Sequence, residues 1–102
     1  MKGSLHVLIT NAWYPKPGSE EAFVKLWNEK IYKLATEMGS DRSGLYYNEE
    51  SDMYLSSLFF PTKEEAERFL KAEKCQKATQ ELNRLCLVPV RKELYDILKK
   101  AI

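Results

Sequence analysis

Asn11 closes an alternating apolar run, Leu5-His6-Val7-Leu8-Ile9-Thr10. An amide at that point can orient a substrate oxygen at the mouth of a helix–sheet pocket, or it can satisfy nearby backbone as strand-end asparagines do. Trp13, beside the prolines, either lines the same pocket or covers the turn. His6 is the one histidine of the chain. Its unperturbed pKa lies near neutrality and fits a general base, but a lone strand histidine reads more simply as an interface or hydrogen-bonded core residue. Tyr46, Tyr47 and Tyr54 can hydrogen-bond a phenol or quinol, or pack as large amphipathic side chains. Trp27 and Phe69 recur at helical spacing, which reads first as core. One histidine and two distant cysteines cannot close a zinc shell, and there is no calcium loop. The four glycines are scattered among turns and form no phosphate loop or dinucleotide fingerprint. The chemistry expected therefore needs neither a metal nor a bound organic cofactor.

Composition narrows the class. A chain of 102 residues allows one domain, here taken as 1–102. Hydrophobic residues are 44% and charged residues 30%, a globular balance, and the net charge is +1 with no basic stripe. A nucleic-acid partner is not expected without such a stripe. Leu5 to Ile9 is too short for a secretory or membrane-spanning segment, so the expected location is the cytoplasm, with no membrane association. If Cys75 and Cys86 share a helix they stand about 16 Å apart at ~1.5 Å per residue. A disulfide needs Cα atoms within about 7 Å, so two reduced thiols are expected.

The elements that must position these groups follow from periodicity. A strand is expected from about Ser4 to Trp13, ending at Pro15-Lys16-Pro17-Gly18. Ser19 is a plausible N-cap, with Glu20 and Glu21 in the first turn of a helix reaching about Met38. Phe23, Trp27, Ile31, Leu34 and Met38 mark its apolar stripe, widened by Leu26 and Ala35, and Gly39 suits the position just past its end. Gly44 to Glu49 and Met53 to Phe60 read as an antiparallel hairpin about a Glu50-Ser51-Asp52 turn. Thr62 and Glu65 fit a capping box opening a second helix, about Lys63 to Leu85, with a kink or break within polar Lys71–Lys77. Val88 to about Tyr95 reads as a fourth strand, placed at a sheet edge because Pro89 removes a ladder donor. Leu94 to Ile102 fits either more strand or a short helix. The order β-α-β-β-α-β is the ferredoxin-like arrangement, an α+β fold with two helices on one face of a four-stranded antiparallel sheet, strand order 4-1-3-2.

Helices cover only one face of such a sheet. The other should be polar in a monomer, yet Leu8 and Ala12 on the first strand and Met53, Leu55 and Phe59 on the third fall on the side opposite Val7, Ile9, Leu58 and Phe60. A face of that size, roughly 320 Å² from strand spacing and length, reaches the scale of an interaction site. A second copy related by a two-fold axis is the economical cover, so a homodimer through the open sheet face is expected.

Pro17-Gly18-Ser19-Glu20-Glu21-Ala22-Phe23 after a strand, and Leu58-Phe59-Phe60 followed by Thr62-Lys63-Glu64-Glu65-Ala66 and Phe69, resemble the antibiotic-biosynthesis monooxygenase-like family across nearly the whole chain. The resemblance implies a dimeric α+β barrel. It also implies cofactor-independent oxygenation of a small phenolic or quinol-type substrate, with Asn11 as the orienting group and Trp27, Phe69 and Thr79 lining the pocket. In the haem-degrading branch a tryptophan and a ligating histidine sit on the second helix. Phe69 and Thr79 stand at those positions here, so haem degradation is disfavoured. The alternative is a non-catalytic dimeric module of the same fold that binds a small ligand or has a structural role.

Overall fold

A computed structural model describes residues 5–90 and 93–99, with side-chain surroundings for 7–90. The elements run β1 (Leu5–Trp13), α1 (Glu20–Leu26), a π-helical segment (Trp27–Tyr32), α2 (Lys33–Glu37), β2 (Arg42–Asn48), β3 (Met53–Phe60), α3 (Lys63–Lys71), α4 (Glu73–Arg84) and β4 (Glu93–Lys99). The molecule is α+β with an antiparallel sheet, and backbone pairing orders the strands β2-β3-β1-β4. The side chain of His6 and residues 1–4, 91–92 and 100–102 lie outside the described residues, so the expectations for His6 as a base and for the extreme C-terminus fall there too.

Register decides which side chains meet. Val7↔Phe60, Ile9↔Leu58, Asn11↔Ser56 and Trp13↔Tyr54 pair across β1 and β3, and Ser43, Leu45 and Tyr47 of β2 face Leu58, Ser56 and Tyr54. Partners in register share a face. This face lies under the helices and holds buried Val7, Ile9, Trp13, Ser56, Leu58 and Phe60. Leu8, Thr10, Ala12, Met53, Leu55, Ser57 and Phe59 occupy the other face, and none of them is fully buried.

Several local expectations change on contact with the structure. Ser19 makes no side-chain cap; its backbone is not extended, and the Glu20 carboxylate accepts the Gly18 N–H instead at 2.9 Å. Thr62 does cap α3: its hydroxyl accepts the Glu65 N–H at 3.2 Å and donates to the Glu65 carboxylate at 3.0 Å. The second helix breaks at Ala72, whose backbone is extended at φ −62 and ψ 135. β4 begins at Glu93, later than Val88, so Pro89 precedes the strand. The chain before it is held otherwise: Leu87 N–H donates to the Tyr14 carbonyl at 2.8 Å and Val90 N–H to Asn83 Oδ1 at 2.9 Å. β2 starts at Arg42 and ends at Asn48, whose side chain accepts the Glu50 and Ser51 N–H groups and shapes the hairpin turn.

The first helix carries the most informative departure. Its buried residues are Phe23, Trp27, Ile31 and Ala35, each four apart, while Leu34 and Met38 are only half-buried. Four residues overshoot one α-turn by about 40°. Repeated three times, that drift would swing the stripe off the sheet. A wider i→i+5 turn drifts the other way, so the π segment Trp27–Tyr32 turns the stripe back onto the core.

Gly39 ends this helix at φ +112, and a Cβ there would strike the Glu65 carboxylate on α3. Gly39→Ala is expected to destabilise the fold by about 1–3 kcal/mol, read as a lowered urea midpoint with unchanged slope.

Candidate functional site

Where the first helix overhangs the β2 edge, a cleft of about 230 Å³ opens, lined by Val24, Trp27, Asn28 and Tyr32 above and by Ser43, Gly44, Leu45, Tyr47 and Tyr54 of the hairpin below. Tyr54 and Val24 also line an adjoining cleft of about 310 Å³ whose mouth carries Glu20, Glu21 and Lys25. Every side chain lining the first cleft is uncharged at neutral pH. Its aromatic wall continues into the core: Tyr47 and Tyr54 stack with centroids 4.9 Å apart, Tyr54 and Phe23 at 5.4 Å, Phe23 and Trp13 at 5.4 Å. These tilted arrangements suit ring quadrupoles and fix the wall.

The two tryptophans differ in one respect. Trp13 is buried, and its indole N–H donates to Ser56 Oγ at 2.9 Å. Trp27 is 1% exposed, and its indole nitrogen has no acceptor among the described residues. An indole N–H can only donate, and leaving it unpaired in the interior costs roughly 1–3 kcal/mol. Buried polar groups are ordinarily satisfied, so each exception calls for a physical reason.

Two other polar groups of the cleft are occupied. The Tyr47 hydroxyl donates to Asp52 Oδ1 at 2.8 Å. That hydrogen bond, more than any other influence, raises the phenol's pKa above its ordinary value, so Tyr47 stays protonated at neutral pH and offers no base. Ser43 Oγ shares a hydrogen bond of 2.9 Å with Ser40 Oγ.

The expected site residues separate. Trp27 lines the 230 Å³ cleft. Asn11 lies on the same helix-facing side of the sheet, in a cross-strand row with Ser56 and Leu45, two strands in from the cleft. Phe69 is buried against Phe60, ring centroids 5.4 Å apart. Thr79 turns its hydroxyl back to the Cys75 carbonyl at 2.9 Å. Asn28, Tyr32, Ser43 and Val24 were not singled out from sequence. The signal that could have found them is the strict four-residue spacing 23-27-31-35, which asks for a widened turn at Trp27.

A further groove of about 380 Å³ runs between the first helix and α4, lined by lysines 30, 33, 74 and 77, glutamates 29, 37 and 81, and by Leu34 and Ala78. Its mixed charges make a solvated seam. Cys75 and Cys86 are both buried thiols, and burial pushes the Cys86 thiol's pKa up, away from redox reactivity. Among the described residues no cluster of three or more His, Cys, Asp or Glu side chains could hold a metal ion, and no helix is long and apolar enough to cross a membrane.

No family model matches the chain, and no curated protein does. Solved structures do. A conserved protein from Methanosarcina mazei Go1 superposes with a TM-score of 0.80 at 15% identity, covering 95% of both chains. Rv0793 from Mycobacterium tuberculosis gives 0.78 at 15% identity, over 95% of this chain and 99% of the other. A structure described as an antibiotic biosynthesis monooxygenase gives 0.72 at 13% identity, over 90% of this chain and 98% of the other. Identities this low speak to architecture alone. The resemblance read from Pro17–Phe23 and Leu58–Phe69 thus holds as one of fold: this chain has the α+β fold of the antibiotic biosynthesis monooxygenase structures.

Proposed function

We propose that this protein is a homodimeric, cofactor-independent monooxygenase of a small phenolic or quinol-type molecule. The observation that carries the reading is the uncharged, aromatic-walled cleft under the first helix, on a fold shared with a structure described as a monooxygenase. In the simplest reaction a phenol and dioxygen give a quinone and water. One oxygen atom enters the ring and the other leaves as water with the hydroxyl and ring hydrogens, so dioxygen takes up all four electrons. The substrate, once deprotonated, is itself the reductant. The chain contributes a dry aromatic wall and oriented hydrogen bonds, which stabilise developing charge better than water can.

A second copy of the chain covers the face of the sheet turned away from the helices. Leu8, Ala12, Met53, Leu55 and Phe59 stand there, with Leu55 37% exposed, and an isologous interface buries them against themselves. The alternative, a non-catalytic small-ligand module, draws support from the uncharged lining of the cleft and the protonated Tyr47. Oxygen consumption with a panel of quinols, run beside ligand-induced melting shifts, separates the two. Uptake above the spontaneous rate supports the enzyme, and melting shifts without uptake support the binding module. Asn11 stands two strands in from this cleft and orients a substrate only where the ligand reaches inward along the Leu45–Ser56 row; for such a ligand Asn11→Ala is expected to lower kcat by about a hundredfold. Unchanged turnover removes Asn11 from the mechanism.

A further inference from the structure

We infer that Ser43 recognises a ligand hydroxyl: its Oγ accepts an O–H from an aromatic molecule seated in the cleft between the first helix and the β2 edge. The cleft thus selects a hydroxylated ring over the same ring as an ether or a hydrocarbon. The inference rests on the small-molecule reading above and deepens it by naming the group that is recognised and the atom that recognises it.

The polarity of a short hydroxyl chain decides the point. Ser40 Oγ–H donates to the Arg42 carbonyl at 3.0 Å, because a carbonyl can only accept. A serine hydroxyl has one proton and two lone pairs. The Ser40 proton is therefore spent. In the 2.9 Å contact between Ser40 Oγ and Ser43 Oγ, the proton must come from Ser43. Ser43 Oγ is left with lone pairs and no proton to give. Each bond in such a chain polarises the next, so this oxygen is a better acceptor than an isolated hydroxyl.

Its position makes the acceptor usable. Ser43 pairs in register with Leu58 on the helix-facing side of the sheet and lines the 230 Å³ cleft. Ser40 is 8% exposed, whereas Ser43 is only half-buried. The chain of hydroxyls thus runs from the interior outward and ends at Ser43. That side chain is only Cβ and Oγ, so a molecule seated against it meets the oxygen.

The rest of the lining narrows the ligand. Tyr47, on the same floor, has likewise given its proton away, to Asp52. No charged side chain lines the cleft, so a phenolate would lose hydration there and find no counter-charge. At Ser43 it would also meet lone pairs. The hydroxyl held at Ser43 is one that keeps its proton. In a quinol the second hydroxyl is left to ionise, which favours a quinol over a simple phenol as substrate. The Tyr47 and Tyr54 rings, with centroids 4.9 Å apart, offer flat faces to a flat ring. The small cleft volume limits the ligand to one or two rings.

The test uses three ligands that share one ring: para-ethylphenol, its methyl ether para-ethylanisole, and ethylbenzene. Calorimetry on the wild-type chain is expected to show the phenol binding roughly tenfold tighter than either of the others, the worth of one net hydrogen bond. In Ser43→Ala the three should bind alike. Ser40→Ala separates polarity from shape. It keeps Ser43 but frees its proton to meet an ether oxygen, so para-ethylanisole should gain on the phenol. A merely structural Ser40 would weaken all three ligands together. Should Ser43→Ala fail to fold, amide shifts in the wild-type chain locate the ligand: Ser43 and Tyr47 should move with the phenol, and Phe69 should not. No binding of the phenol up to its solubility, equal wild-type affinity for phenol and ether, or a phenol advantage that survives Ser43→Ala overturns the inference. So does an unchanged phenol-to-ether ratio in Ser40→Ala, or an unmoved Ser43 amide. Failure of the oxygenase reading looks different: the phenol binds as described, yet no quinol drives oxygen uptake. Oxygen uptake with a KM unmoved by Ser43→Ala sinks the site assignment and leaves the oxygenase standing.

Discussion

Replacing Leu55 and Phe59 together by glutamate is expected to convert the proposed homodimer to a folded monomer, visible in sedimentation velocity as a halving of mass. Both residues lie on the sheet face turned away from the helices, where register places Phe59 opposite Leu8 and Leu55 opposite Ala12. Two-fold symmetry doubles every change, so four carboxylates enter one interface. Each loses hydration, and like charges face each other across the axis; such juxtapositions cost several kcal/mol. A loss of ~4 kcal/mol raises the dimer dissociation constant about a thousandfold. The monomer itself should keep its helices and its far-ultraviolet signature, because neither residue contributes to the buried core. Lys25→Glu on the exposed face of α1 is the control and should leave the mass unchanged. A double variant that still sediments at twice the chain mass places the contact on another surface.

Phe60→Ala is expected to cost about 3–5 kcal/mol, the range for a large aromatic removed from a packed core. Phe60 is fully buried, pairs in register with Val7, and stacks on Phe69 of α3. Its loss leaves a cavity where the sheet meets α3, and Thr62 and the start of α3 follow within three residues. For a domain of this length each kcal/mol lowers Tm by about 4–8 °C, so a fall of at least ~12 °C is expected in calorimetry. Leu87→Ala, at an exposed loop position, should shift Tm little. A small effect at Phe60 means the helix–sheet interface is packed more loosely than these burials imply.

The sequence displayed the architecture clearly where one physical signal dominated. Alternation in Val7–Trp13 and Met53–Phe60 sorted each strand's residues onto two sides, since a strand's period of two leaves no intermediate choice, but did not say which side the helices cover. The box Thr62–Glu65 and Gly39 marked helix ends because few residues do those jobs. The polar stretch Lys71–Lys77 marked where the second helix could kink or break, and it breaks at Ala72. Legibility failed where tertiary packing chose among near-equal local options. Ser19 leaves its cap unmade, and the Glu20 carboxylate turns back to the Gly18 N–H ahead of the helix. Pro89 spoke against a ladder, but the chain answered by starting β4 later. The first helix hid most: a period of 3.6 was assumed throughout, and strict four-residue spacing carried the widened turn unseen.

The candidate site was half visible for the same reason. Residue type and the family resemblance pointed to Asn11, Trp27, Phe69 and Thr79, but neither shows which groups already have partners. Phe69 proved to be packed against Phe60 and Thr79 bonded to its own helix. Only the three-dimensional surroundings distinguish Trp27, with its unspent donor, from Trp13, whose donor is met. Pairing β2 with β3 then brings Ser43 and Tyr47 beneath a helix that precedes them in the chain.

The most direct measurement is the stoichiometry of oxygen consumption by the protein with a phenol shown by calorimetry to saturate the Trp27 cleft. One dioxygen consumed for each quinone formed, with no hydrogen peroxide released, is the predicted result. No consumption above the spontaneous rate at saturation, or peroxide appearing in step with the oxygen lost, contradicts monooxygenation by this protein.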